Sequence, residues 1–318
     1  KAMNKPANTM SRLPSNERVI AAARSQREAA SGLRPSRPTA DRLTLDACII
    51  CGARDHYERY PTTIPWLRRC SGCGLGFASP QPSDAELARL YAPKYYEGFG
   101  YAVSDDSCYR DMKQACADSL LARAEAYFPP GRLLDVGSAL GDLLAVARRR
   151  GWEVWGVERN RFAVDHTAEL VPEADVFCGP LEEYEGAGEW FDLVTCLDVI
   201  EHLRRPDVSL RQLHGMLRPG GGLVVTTPDL GGLHARLSGR SWVHYHPDHL
   251  WYFRRNTLCW LARSAGFEVL LCGCAYKVFN LRYVFEILSR LSGSALVRQV
   301  AALGLRWIPG RGLSALLP

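Results

Sequence analysis

The middle of the chain alternates short apolar runs with segments of helical periodicity. The first run, in the stretch LLDVGSALGDLL (Leu133–Leu144), predicts a buried strand that ends at Asp135, a turn through Gly137 and Gly141, and a helix. This order of elements brings backbone N–H groups and a helix N-terminus to the carboxyl edge of a parallel sheet. Open α/β folds bind nucleotides at that edge, so the pattern predicts a nucleotide site there.

The segments that follow repeat this alternation. The run WEVWGVE (Trp152–Glu158) ends in a carboxylate, a group suited to accept hydrogen bonds from both hydroxyls of a ribose. The runs FDLVTCLDVIEHL (Phe191–Leu203) and LRPGGGLVVTTPD (Leu217–Asp229) add two more strands and a glycine-rich turn. The predicted strands are 132–136, 152–158, 174–178, 191–197 and 222–227, and the predicted helices are 141–150, 161–170 and 207–217. They indicate an α/β fold with a doubly wound sheet.

These motifs, in this order, resemble the class I S-adenosylmethionine-dependent methyltransferases. The resemblance covers roughly residues 129–276 and implies a Rossmann-like sheet with S-adenosylmethionine as methyl donor. It places an apolar residue, Leu181, beside the adenine. The cofactor-binding residues that it implies are Asp135, Gly137, Ser138, Ala139, Gly141, Glu158, Arg159, Leu181, Leu197 and Asp198.

Two details of the glycine turn bear on this resemblance. Its G-x-x-x-G spacing differs from the G-x-G-x-x-G of dinucleotide-binding Rossmann domains, which disfavours that family. Ala139 stands where the methyltransferases usually have their middle glycine. We expect an alanine to fit there if its φ is negative, although its methyl group restricts the approach of the methionine moiety.

Four of the eleven cysteines form two C-x₂-C pairs, CIIC (Cys48–Cys51) and CSGC (Cys70–Cys73), separated by 18 residues. This spacing predicts that Cys48, Cys51, Cys70 and Cys73 bind one tetrahedral Zn²⁺. A four-thiolate shell has no open position for substrate, so the zinc is expected to be structural, and a catalytic zinc and a redox dithiol are the two alternatives. The other cysteines are typical of small buried hydrophobes in a reducing compartment, which predicts a cytoplasmic protein.

A first candidate chemical site follows the fourth predicted strand. Asp198, Glu201 and His202 form D-x-x-E-H, which a helical turn would place on one face. Their ligand types suit Mg²⁺, Mn²⁺ or Fe²⁺. The motif resembles the E-x-x-E-H of ubiquinone-pathway O-methyltransferases and of small-RNA 3′-terminal 2′-O-methyltransferases, where it holds a divalent ion. In the alternative, Glu201 and His202 form hydrogen bonds and shape the pocket floor.

A second candidate lies in HYHPDHLWYF (His244–Phe253). Asp248–His249 resembles the Glu-His pair of nucleotide-sugar C-methyltransferases, which also carry an N-terminal cysteine zinc module and in which the carboxylate orients the imidazole base. The stretch also resembles the H-x-D-H segment that adds a histidine ligand in the small-RNA enzymes. The alternative to a base and to a metal ligand is a pair of loop histidines whose hydrogen bonds are made within the protein. The catalytic candidates are His249, Asp248, His246 and the lid residue Tyr96, and the alternative divalent-metal set is Asp198, Glu201, His202 and His249.

The chain divides into five predicted segments. They are a mobile basic arm (1–43), a zinc-binding module (44–80), a helical lid or linker (81–130), an S-adenosylmethionine-binding methyltransferase domain (131–276) and an apolar, basic helical segment (277–318). Within the lid, Ser83 and Glu86 predict a capping box. The methyltransferase domain is expected to include a sixth strand at 267–276, and no seventh strand is expected after it.

Charge limits the partners. The net charge is +5, but residues 1–40 carry eight Lys/Arg and two Glu, and residues 277–318 carry six Lys/Arg and one Glu, which leaves the middle near −6. An acidic body with basic ends is poorly suited to grip nucleic acid along a groove. The helices expected within 280–308 suit packing against the sheet or another subunit, or contact with a membrane surface or lipid-linked substrate.

These patterns favour methyl transfer from S-adenosylmethionine to a small molecule, a sugar nucleotide or secondary metabolite, at carbon or oxygen. The alternatives are metal-assisted methylation of an RNA end or of a polyol or phenol, and a non-catalytic zinc-ribbon adaptor. The intact set of Asp135, Gly137, Gly141 and Glu158 argues against the adaptor.

Overall fold

The computed structural model describes residues 42–54, 56–58, 66–90, 107–186, 191–275, 277–280, 299–300 and 314–317. The strands are β1 (His56–Glu58), β2 (Leu67–Cys70), β3 (Gly76–Ala78), β4 (Arg132–Val136), β5 (Glu153–Glu158), β6 (Asp175–Cys178), β7 (Phe191–Leu197), β8 (Leu217–Thr226), β9 (Trp251–Tyr252), β10 (Lys277–Asn280) and β11 (Ser314–Leu317). The helices are α1 (Asp84–Leu90), α2 (Ser107–Ala124), α3 (Asp142–Arg149), α4 (Arg161–Leu170), α5 (Pro206–Met216), α6 (Leu233–Ser238) and α7 (Arg255–Ser264). Tyr96 and the predicted arm, up to residue 41, lie outside the described residues.

The central sheet has five parallel strands in the order β6-β5-β4-β7-β8. Leu133, Leu134, Leu193 and Val194 are fully buried, because helices cover both faces of a parallel sheet. The chain leaves β4 toward β5 and later returns to its other side with β7. The strand order therefore reverses between β4 and β7, where such folds open a ligand crevice at the carboxyl ends of the strands. The predicted doubly wound, Rossmann-like sheet is confirmed.

Helix α2 packs on α3, next to the turn that follows β4. Ala117 and Leu121 of α2 share an apolar cluster with Leu144 and Val146 of α3 and with Trp152, which precedes β5. The predicted capping box of α1 is present, since Ser83 N donates to Glu86 Oε2 at 2.8 Å and Glu86 N donates to Ser83 Oγ at 3.3 Å. None of the helices in the described residues is both long and apolar enough to cross a membrane.

The cysteine-bearing segment shares a sheet with the methyltransferase region. A second sheet has the order β1-β2-β3-β9, and β3 pairs antiparallel with β9 through Gly76 with Tyr252 and Phe77 with Trp251. Ala78 N also donates to the Leu250 carbonyl at 2.8 Å. The sheet therefore continues across the boundary predicted at residue 80. The apolar core also continues across it, because it includes both Phe77 and Trp251.

The end of the chain differs from the prediction. Residues 267–275 have no regular structure, so the strand predicted at 267–276 is wrong. The strand β10 begins instead at Lys277 and pairs antiparallel with β11, a terminal strand that was not expected. Four-residue strands of this kind form only because a partner distant in sequence completes their hydrogen bonds. Most of the helical segment predicted within 280–308 lies outside the described residues.

Candidate functional site

The turn after β4 requires glycine at two positions. Gly137 has φ 73° and Gly141 has φ 81°, both in the left-handed region that glycine adopts without a steric penalty. A Cβ on Gly137 would clash with Val199, and one on Gly141 would lie 2.7 Å from Thr167 Cγ2. The Gly137 N–H donates to the Val157 carbonyl at 2.8 Å and so ties the turn to β5. Both positions of the turn therefore need glycine.

Ala139, inside this turn, is left-handed. Its φ is 49°, so the condition under which an alanine was expected to fit is not met. A left-handed alanine costs roughly 1–2 kcal/mol relative to its right-handed form. The Glu158 carboxylate offsets part of this cost, because its Oε2 accepts the Ala139 N–H at 3.0 Å. The turn thus keeps its shape without a central glycine.

Glu158 lies at the carboxyl end of β5 and is only 6% exposed. Its Oε1 accepts the Asn160 N–H at 2.8 Å, and its Oε2 accepts the Ala139 N–H. The carboxylate therefore lies at the edge of the glycine turn, the place where the resemblance expects the acid that binds the hydroxyls of a ribose.

The other predicted cofactor residues lie around the same edge. Three of them are buried: Asp135 lies in β4, Ser138 lies under the turn with its Oγ near Gly156, and Leu181 lies in a short 3₁₀ helix after β6. Leu197 is the last residue of β7, and Asp198, directly after it, is exposed. Arg159, next to Glu158, is also exposed. Sequence reasoning missed Gln212, whose Nε2 donates to the Leu181 carbonyl at 2.8 Å and fixes this helix. It also missed Thr195, which bonds Asp135 from the neighbouring strand.

The carboxyl group of Asp135 is held in an environment that disfavours its charge. Burial raises its pKa from 3.8 to about 7; the 2.7 Å hydrogen bond from Thr195 Oγ1 lowers the pKa, and the nearby Glu158 charge raises it. The folded state therefore binds this proton more tightly than the unfolded chain does. The free energy of unfolding consequently falls as pH rises from about 4 to about 7.

Replacing Asp135 with asparagine is expected to remove this pH dependence while retaining an acceptor for Thr195. The gain in the free energy of unfolding should be about 2 kcal/mol larger at pH 8 than at pH 5.5, as measured by urea denaturation of the cofactor-free protein. Asp175→Asn, at the exposed start of β6, serves as the control. An equal effect of Asp135→Asn at both pH values would contradict the proposed cause.

A histidine-carboxylate cluster lies at the same edge of the sheet. Glu201 and His202 are in a 3₁₀ helix after β7, and one ligand atom from each lies within 4.8 Å of one from His249. Glu201 is 1% exposed, and its Oε2 has no hydrogen-bond partner among the described residues. Two hydrogen bonds hold the segments together, from Leu250 N to the Glu201 carbonyl at 2.8 Å and from Trp251 Nε1 to the Leu203 carbonyl at 2.7 Å.

Two predicted members are placed differently. Asp198 adopts φ 53° and its Oδ1 accepts a hydrogen bond from Thr226 Oγ1 at 3.1 Å. It precedes the 3₁₀ helix and is not part of the cluster that Glu201 and His202 form with His249, so the predicted common helical face is not formed.

Asp248 does not orient His249 in the expected way. Its carboxylate oxygens lie 3.6 Å from His202 Nδ1 and 3.9 Å from His246 Nδ1, and among the described contacts it forms no ion pair with His249. Asp248 lies inside a turn that the His249 N–H closes by donating to the His246 carbonyl at 3.2 Å. The His249 ring instead packs against the rings of His202, at 4.7 Å between centroids, and His246, at 5.3 Å.

The electrostatics of the cluster favour uncharged groups. Burial, followed by the charge of Asp198, raises the pKa of Glu201 to about 8. Burial, followed by the neighbouring His202 and His246, lowers the pKa of His249 well below its ordinary value. His249 is therefore a neutral imidazole at pH 7, the form that accepts a proton or binds a metal ion.

The four cysteines of the two knuckles converge. Cys48 Sγ lies 3.5 Å from Cys73 Sγ, Cys51 Sγ lies 3.4 Å from Cys70 Sγ, and all four sulfurs lie within 4.8 Å of one another. The turns are alike, since Cys48 N donates to the Ala53 carbonyl and Cys70 N to the Leu75 carbonyl, each at 2.8 Å. Sulfurs about 2.3 Å from a shared Zn²⁺ would have similar separations, so this set of donors fits the ion.

Comparison with known proteins agrees with this geometry. The family model described as a methyltransferase domain matches residues 109–271, just over half of the chain. A ubiquinone biosynthesis O-methyltransferase from Alkalilimnicola ehrlichii is 33% identical over 165 residues, which cover 48% of this chain and 67% of that protein. The protein of the same name from Parvibaculum lavamentivorans is 34% identical over 110 residues, 33% of this chain and 44% of its own length.

Similar solved structures include S-adenosylmethionine-bound CalS10, an amino pentose methyltransferase from Micromonospora echinaspora involved in calicheamicin biosynthesis. It is 26% identical with a TM-score of 0.35, and the match covers 36% of this chain and 51% of that one. This structural likeness is too low to add to the assignment, which rests on the family model, the strand order and the glycine turn after β4. The chain belongs to the class I S-adenosylmethionine-dependent methyltransferases.

Proposed function

We propose that this protein transfers the methyl group of S-adenosylmethionine to a small-molecule acceptor held between the glycine turn and the histidine cluster. The observation that carries this proposal is the position of Glu158 at the carboxyl end of β5, where its carboxylate accepts the Ala139 N–H and so borders the glycine turn. The relatives named ubiquinone biosynthesis O-methyltransferases support an oxygen of a small molecule as the acceptor.

The sulfonium of the cofactor supplies an already reactive methyl group. The protein therefore has to align the acceptor with the S–CH₃ bond, exclude water and remove a proton. Neutral His249, 8% exposed at the carboxyl edge of the sheet, is the group that we assign to proton removal. The contacts of the loop with the 3₁₀ helix through Leu250 and Trp251 hold His249 in place.

A second candidate function is metal-assisted O-methylation. It is favoured by the convergence of Glu201, His202 and His249, together with the unpartnered Oε2 of Glu201. These residues would hold a divalent ion such as Mg²⁺ or Mn²⁺, which would lower the pKa of an acceptor hydroxyl. The small-molecule acceptor is common to both candidates, and the acidic middle of the chain argues against an RNA end.

The direct test of the proposed function combines binding and product analysis. Calorimetry should show saturable binding of S-adenosylmethionine to the full chain, and mass spectrometry of small molecules that copurify should identify an acceptor that gains 14 mass units, the mass of one CH₂ group, in the presence of the cofactor. Absence of cofactor binding would instead favour the zinc-ribbon adaptor. The cytoplasmic location and the contact of 280–308 with a lipid-linked substrate stay predictions.

We further propose that the four cysteines hold a structural Zn²⁺. Metal analysis should find about one zinc per chain that resists mild chelation, and Cys70→Ser should lower the thermal midpoint because a buried ligand of the closed shell is lost. Cys178→Ser, which changes an exposed cysteine at the end of β6, is the matched control. A well-folded protein without zinc would disprove this site.

A further inference from the structure

Two arginine side chains meet beside the second cysteine knuckle. A Cβ built on Gly74 would lie 3.1 Å from Arg69 Nη2 and 3.8 Å from Arg254 Nη1, so both guanidinium groups approach the same point. Arg69 is in β2, and Arg254 directly precedes α7. The pairing of β3 with β9 brings these two positions together, although they are far apart in the sequence.

Neither guanidinium has a partner of opposite charge among the described residues. The Nε atoms of Arg69 and Arg254 are both buried and without a hydrogen-bond acceptor within the part of the chain that the structure describes. The nearby Asp229 is already engaged, because its Oδ1 accepts the Gly231 N–H at 2.7 Å and its Oδ2 lies 3.5 Å from Arg255 Nε. Buried cationic donors that repel each other are stable when an anion lies between them.

The geometry points to a specific anion chemistry: we propose that Arg69 and Arg254 form a binding site for a phosphate group. A guanidinium presents Nε and Nη hydrogens as a planar fork, and two forks from different elements suit the several oxygens of a tetrahedral phosphate. Helix α7 begins at Arg255 and runs for ten residues, and the positive end of its dipole adds to the attraction.

This site lies within reach of the proposed methyl-transfer site. Arg254 follows His249 by five residues, so their Cα atoms are at most about 18 Å apart. A phosphorylated acceptor of moderate length would span the two groups with its phosphate on the arginines and its nucleophile at His249. This extension to the acceptor rests on the proposed function, whereas the phosphate site itself does not.

The test is calorimetric titration of the full chain with inorganic phosphate and with pyrophosphate. Saturable binding is expected, and Arg69→Gln and Arg254→Gln should each weaken it by about tenfold or more, since each removes a charged fork. Arg161→Gln, an exposed arginine of α4 whose partner is Asp165, should bind as the unmodified protein does. The site would be overturned if the unmodified chain showed no saturable binding, or if both glutamine variants bound with the affinity of the unmodified chain.

Two further measurements distinguish the role of the guanidinium fork and the source of the phosphate. Arg254→Lys retains the charge but loses the fork, so weaker pyrophosphate binding is expected, and pyrophosphate should raise the thermal midpoint of the unmodified chain. If uridine diphosphate binds at least tenfold more tightly than pyrophosphate, the phosphate belongs to a nucleotide-bearing acceptor, and equal affinities assign it to a free inorganic anion. A parallel titration with S-adenosylmethionine reports separately on the proposed function.

Discussion

Replacement of His249 by alanine is expected to lower the turnover number by about 10²–10⁴-fold while the affinity for S-adenosylmethionine stays unchanged. The imidazole is buried, and its lowered pKa keeps it neutral at pH 7. A neutral imidazole can act as a base and take the proton from the methyl acceptor. Steady-state methyl transfer and cofactor titration, on the same variant, measure the two quantities separately.

The matched control for this prediction is His234→Ala. His234 is exposed and is not part of the cluster, so its loss should leave turnover near that of the unmodified protein. Full activity in His249→Ala would exclude both roles proposed for this residue, and would move the chemistry to His246 or to Tyr96.

A chelator distinguishes the base from the metal ligand. If His249 acts as a base alone, EDTA should not change activity, and Glu201→Ala should act mainly through the shape of the site. If Glu201, His202 and His249 hold a divalent ion, activity should disappear with EDTA, return with Mg²⁺ or Mn²⁺, and be lost in Glu201→Ala. The second pattern would establish metal-assisted O-methylation.

Replacement of Glu158 by alanine is expected to weaken S-adenosylmethionine binding by about 2–3 kcal/mol, which is roughly 30- to 160-fold in Kd. The variant would lack the carboxylate's proposed hydrogen bonds to the ribose. It would also lack the hydrogen bond from the Ala139 N–H, which stabilises a left-handed residue of the turn. Calorimetry measures the affinity, and circular dichroism verifies that the variant remains folded.

Glu153→Ala is the matched control for the ribose acid. Glu153 begins the same strand, but its side chain is 66% exposed and it lies at the opposite end from the glycine turn. Its loss should leave the affinity unchanged. Unchanged affinity in Glu158→Ala as well would show that β5 does not end in the ribose acid.

Local sequence patterns were sufficient to predict the central sheet and the glycine turn at its carboxyl edge. Strands β4 and β7 and helix α4 have the predicted bounds, because a buried strand and an amphipathic helix each leave a periodic apolar pattern in a short window. Gly137 and Gly141 were found for the same reason, since a left-handed turn selects glycine from its own backbone alone. The capping box of Ser83 and Glu86 is likewise contained within four residues.

Other features depended on contacts between distant segments. The two-residue strand β9 forms because β3 supplies its hydrogen-bond partners, and that pairing joins the cysteine segment to the histidine loop. The side to which Asp248 points and the left-handed backbone of Ala139 were both decided by neighbours on other elements. The sequence by itself determined the fold class, the glycine turn, the carboxylate at the end of β5 and the cysteine set, because each is recorded in local spacing. Only the tertiary structure decided which histidines converge with Glu201 and that Arg69 meets Arg254, because pairs far apart in sequence leave no local pattern.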